Sequence, residues 1–118
     1  VSGAEKIGEV ARHRNSIHAK NQDIKKSGKT PPYHDEIGCC VIAVSFSKEK
    51  SLQKDGAVDT ALHNNVSLIT YLDIYELVCL NEKVKLTNTE LEQIFFYQEG
   101  KSPEAAERIY ELIKQKNC

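Results

Sequence analysis

Cys39-Cys40-Val41-Ile42-Ala43-Val44-Ser45-Phe46 is the stretch that decides the fold class. From Cys39 to Val44 it is apolar at consecutive positions rather than alternate ones. That is the pattern of a strand buried on both faces, and so of a sheet covered by helices on each side. Downstream, Val66-Ser67-Leu68-Ile69 reads as a second, shorter strand. Thr70, with Asp73 three residues later, caps a helix over 71–80 whose expected buried residues are Leu72, Tyr75 and Val78 or their near neighbours. Between the strands, 47–65 reads as a helix with Leu52, Val58, Ala61 and Leu62 facing the core. Asn64-Asn65 stops it, because Asn tolerates left-handed backbone angles. Strand, helix, strand, helix over 39–80 is a βαβ crossover with parallel strands.

Helices flank this unit. Residues 4–20 place Ile7, Val10, Ala11 and Ile17 close to one helical face. Residues 21–38 read as a loop, through Ser27-Gly28-Lys29-Thr30 and the helix-breaking pair Pro31-Pro32. The 87–116 region is helical. Thr87 and Glu90 form a T-x-x-E capping box, with Leu86 and Leu91 as its staple and Leu91, Ile94 and Phe95 as an apolar stripe. Ser102-Pro103 opens the last helix, which buries Ile109, Leu112 and Ile113. The expected architecture is α/β, a mixed sheet flanked by helices with a helical C-terminus, in a single domain or domain fragment over 1–118. Two strands fall short of the three or more that a stable sheet needs.

Composition narrows the setting. The chain has 118 residues, 28% charged and 40% hydrophobic, which suits one folded domain and excludes a disordered chain. No apolar run approaches the roughly 20 residues of a membrane span, so no membrane partner is expected. No basic, apolar leader opens the sequence, and the expected location is cytoplasmic. There is no Met, and the chain opens Val1-Ser2-Gly3-Ala4, which reads as a fragment or a processed chain. The four cysteines (Cys39, Cys40, Cys79 and Cys118) lack C-x-x-C spacing, so they read as buried free thiols rather than zinc ligands.

The net charge of −1 averages two unlike halves. Residues 1–34 carry Lys6, Arg12, Arg14, Lys20, Lys25, Lys26 and Lys29 against Glu5, Glu9 and Asp23; the remainder is acidic. A basic end on an acidic chain suits a polyanion, and DNA is the expected partner. Arg12, Arg14, Lys20, Lys25, Lys26 and Lys29 are the candidate DNA-backbone contacts.

Catalytic motifs are sparse. Gly28-Lys29-Thr30 resembles the end of a phosphate-binding loop, but Asp23 stands where that motif needs Gly and no strand precedes it. Asp23-Ile24-Lys25 matches the D-x-K half of a metal-dependent nuclease motif, yet no Asp precedes it and its surroundings are polar. Glu9, Arg12 and His13 lie three and four residues apart on the first helix. They are the weak catalytic candidates, against the alternative of a surface ion pair. His18, His34 and His63 read as ordinary polar residues, and Tyr71, Tyr75, Phe95, Phe96 and Tyr97 do not interleave with Lys or Arg as a single-strand-binding face requires.

Four phrases, in order, resemble the nuclease domain of type IIS restriction endonucleases of the FokI and AlwI kind. They are Glu9-Val10-Ala11-Arg12-His13, Val41-Ile42-Ala43-Val44-Ser45, Leu68-Ile69-Thr70-Tyr71-Leu72-Asp73-Ile74-Tyr75-Glu76-Leu77 and Leu86-Thr87-Asn88-Thr89-Glu90-Leu91. The resemblance spans residues 4–96. It implies a PD-(D/E)XK core, a mixed sheet flanked by helices. It also implies magnesium-dependent hydrolysis of DNA phosphodiesters and a homodimer for cutting both strands. The family's catalytic strands precede the helix matched by 4–20. By this alignment the metal-binding carboxylates and Lys are absent from the chain, no metal ligand is assigned, and Mg2+ belongs to the complete domain. The expectation is the C-terminal part of a restriction-endonuclease-like domain, inactive alone and completed by the rest of the polypeptide or a complementing chain. The alternatives are an inactive nuclease-like subunit and a small non-catalytic α/β interaction domain. The last draws on the acidic late helices, through Glu90, Glu92, Glu99, Glu104, Glu107 and Glu111.

Overall fold

The computed structural model describes residues 3–32, 38–46 and 56–116. Among these residues five helices and two strands appear in the order α1 (Ala4–Lys26), β1 (Cys40–Ala43), α2 (Ala57–Asn64), β2 (Ser67–Thr70), α3 (Tyr71–Lys83), α4 (Asn88–Phe95) and α5 (Ala105–Lys116). β1 and β2 pair in parallel, Val41 beside Leu68 and Ile42 beside Ile69, as the βαβ pattern requires. Side chains alternate across a strand, so the pair has two faces. Val41 and Leu68 enter a core with Ile7 and Ala11 of α1 and Ala57 and Ala61 of α2. Ile69 enters a second core with Leu77 and Leu80 of α3, Ile94 of α4, and Ile109 and Leu112 of α5. The molecule is therefore a helix–sheet–helix sandwich, mixed α/β and mostly helical. Among the described residues the sheet is two-stranded and parallel rather than mixed.

β2 is buried on both faces, with Ser67, Leu68 and Ile69 at 1% exposure or less. β1 departs from the expectation. Val41 is buried beneath α1 and α2 and Ala43 is buried, but Ile42 is exposed and Val44 is 73% exposed. The reason is the placement of the second helical layer: α3, α4 and α5 all pack on β2. On its far side β2 meets residues 103–104. The Leu68 N–H donates to the Pro103 carbonyl at 2.8 Å, and Leu68 bridges Glu104 in parallel.

The helices differ from expectation at their limits. α1 runs past Lys20 to Lys26, because Asn21–Lys26 contains no breaker, Asn21 is buried and Ile24 half-buried. It stops at Ser27, whose hydroxyl donates to the Ile24 carbonyl at 2.7 Å, and at Gly28 with φ +83°. Glu5 at its start and Lys25 and Lys26 at its end complement the helix dipole. α2 begins after Gly56; residues 47–55, including Leu52, lie outside the described residues. Its core contacts are Ala57, Val58 and Ala61, while Leu62, one residue further round the helix, is exposed. Asn65 closes it in the left-handed region at φ 56°.

The Thr87–Glu90 capping box forms, and the Thr70 cap is a full capping box as well. The Asp73 N–H donates to Thr70 Oγ1 at 3.1 Å and the Thr70 N–H to Asp73 Oδ2 at 2.8 Å; the matching Thr87–Glu90 distances are 3.1 and 3.0 Å. On α3 the expected face is inverted. Leu72, Tyr75 and Val78 are exposed, and Asp73, Leu77 and Leu80 are buried. Two apolar stripes lie on this helix, and its emergence straight from β2 selects the one that reaches the core. Ser102 and Pro103 do not begin α5. The Ser102 hydroxyl accepts from the Glu104 N–H at 3.2 Å, Pro103 serves β2, and the helix starts at Ala105.

Candidate functional site

The basic residues singled out in the sequence fall into two groups once α1 is folded. At 3.6 residues per turn, Arg12, Lys20 and Lys26 project within roughly 120° of one another, while Arg14 and Lys25 point to the opposite side. The first three are exposed, over a span of roughly 21 Å along the axis. Glu9 and Asp23 lie among them, and Glu9 pairs with Lys6 at 4.0 Å. Lys29 is exposed just past the end of α1.

Arg14 has a different role. Its Nη1 donates to the Asn65 carbonyl at 3.0 Å and lies 3.5 Å from Cys39 Sγ, so it straps α1 to the end of α2 and the start of β1. Burial pushes the Cys39 thiol up from its usual range, with Arg14 opposing. Burial, reinforced by Cys39, does the same to Cys40. Both remain thiols near neutral pH and are poor nucleophiles. Cys39, Cys40 and Cys79 are free and half-buried rather than fully buried; Cys118 lies outside the described residues.

Glu9, Arg12 and His13 share a side of α1, all exposed. Asp23 and Lys25 are two residues apart on a helix and therefore face apart. The carboxylates do not fit the magnesium ion that the resemblance implies. Glu9 and Asp23 are separated by roughly 21 Å of helix. Asp73 and Glu90 are taken up by helix caps, and Glu90 also pairs with Lys116 at 2.8 Å. Among the described residues no group of three or more metal-ligating side chains stands together. Of the remaining histidines, His18 is exposed, His63 sits at the end of α2 with Nδ1 2.8 Å from the Asp59 carbonyl, and His34 lies outside the described residues.

Sequence reasoning missed Arg108. On α5, at 5% exposure, it donates from Nε to the Gln93 carbonyl at 2.9 Å and from Nη2 to the Ile94 carbonyl at 2.8 Å. It also donates from Nη1 to the Ser102 carbonyl and from Nη2 to the Ser67 hydroxyl. Burial pulls its pKa down, against the opposing charges of Asp73, Glu107 and Glu111. This is a structural lock of β2, α4, the 102–104 segment and α5. Beside it lies a cleft of about 240 Å3, lined in part by Gln93, Gln98, Lys101 and Glu111. Lys101 and Glu111 pair across 3.1 Å. An Arg in the helical pattern of 105–116 reads as a solvent-facing charge, and its only signal was its place one residue before Ile109.

The second exposed feature is apolar. Tyr71, Leu72, Tyr75 and Val78 form a stripe on the outer side of α3. The register ends with Ala43 beside Thr70, the residue just before this helix, and Val44 follows it, exposed. No helix is long and apolar enough among the described residues to cross a membrane. No family model, curated protein or solved structure matches the chain.

Proposed function

We propose that this chain is the downstream part of a magnesium-dependent DNA-cleaving domain of the restriction-endonuclease type, acting in the cytoplasm and completed by upstream catalytic strands. The observation that carries the reading is the outer side of α1. Three exposed cations, Arg12, Lys20 and Lys26, stand on one side of a long helix with Glu9 and Asp23 among them, and such cations suit contacts to a phosphate backbone. Two further features support it. The parallel β1–β2 pair between helical layers is a unit that such a core contains, and among the described residues β1 pairs with β2 alone, which suits further strands on its other edge. The metal-holding carboxylates belong to those strands, so the 118-residue chain binds DNA weakly and does not cut it. Titration of a labelled duplex at low salt tests this. Sequence-independent binding that fades as salt rises supports the reading; no binding to DNA at low salt overturns it. Magnesium-dependent cleavage by this chain alone, lost on Asp23→Ala or Lys25→Ala, overturns the division of labour.

The apolar stripe of α3 favours a second reading, a non-catalytic interaction domain. Binding to a protein partner in the absence of any DNA binding would select it.

A further inference from the structure

We draw no further inference here: the strongest candidate, the exposed apolar stripe Tyr71, Leu72, Tyr75 and Val78 on the outer side of α3, is an unpartnered helix face and nothing in the structure shows what covers it.

Discussion

The guanidinium of Arg108 donates to the hydroxyl of Ser67, joining α5 to the most deeply buried strand across 41 positions of sequence. Ser67 in turn donates to the Ile94 carbonyl at 3.1 Å, which also accepts from Arg108. Arg108→Ala strips these buried acceptors of their donor. Each orphaned group costs on the order of 1–3 kcal/mol, so the variant loses about 3 kcal/mol or more. Arg108→Lys does not rescue it, since an ammonium cannot reach four acceptors in a planar fork. Ser67→Ala is milder, at about 1 kcal/mol. Urea unfolding checks all three; an Arg108→Ala midpoint equal to the parent's refutes the lock.

Neutralising the outer side of α1 weakens DNA binding without unfolding the chain. Three phosphate contacts give a slope of log K against log salt of about −2.7 on duplex DNA. Lys20→Ala with Lys26→Ala cuts that slope to about −0.9. Arg14→Ala serves as the contrast, because it lowers the melting temperature through its lost bond to Asn65. A slope unmoved by the double substitution assigns the contacts elsewhere.

The outer stripe of α3 is dispensable for stability. Tyr75, 66% exposed, changes to Ser at a cost of about 0.5 kcal/mol or less, whereas Leu77→Ala on the buried side costs about 2–5 kcal/mol. Equal losses from the two would mean that the helix sits the other way round.

A methyl group at Gly38 meets the ring of Phe96, its nearest atom 2.6 Å away. Gly38→Ala destabilises by about 1–3 kcal/mol. Adding Phe96→Ala removes that penalty, so the two changes are strongly non-additive in a double-mutant cycle.

Acid weakens the contact between the start of α4 and the end of α5. The Lys116 ammonium, then the Thr87 N–H, hold the Glu90 carboxyl below its ordinary 4.5. A depressed carboxyl stabilises the fold above its unfolded pKa, and that contribution is lost as pH falls through the lower folded value. Stability measured from pH 6 down to pH 3 declines less steeply in Glu90→Gln than in the parent; identical slopes would show that Glu90 contributes nothing.

Local chemistry written in contiguous residues was legible in the sequence. The two capping boxes need only a Thr and an acid three positions on, and the parallel pair follows from two apolar runs separated by one helix. What failed was phase and extent. α3 carries apolar residues at both 71, 72, 75, 78 and 74, 77, 80, and periodicity alone does not choose between stripes. β1 is as apolar as a doubly buried strand, yet on the α3–α5 side Cys40 packs against the core while Ile42 stays exposed. At the candidate site, residue type identified Arg12, Lys20 and Lys26. Separating Arg14 from Arg12 and Lys20 needed only the phase of the helix over 4–20, whereas placing Lys26 beside them required knowing that α1 continues through Asn21. Arg108 was invisible because its partners lie in three other segments.

One small contact decides the direction in which this sheet extends. The Pro103 carbonyl is committed to Leu68, and its neighbours are committed too, the Ser102 carbonyl accepting from Arg108 and the Glu104 N–H donating to the Ser102 hydroxyl. That side of β2 is a finished rim. Any larger sheet built on this chain therefore has 103–104 at its margin and grows outward past β1, so every added strand lies further from α5 than the last.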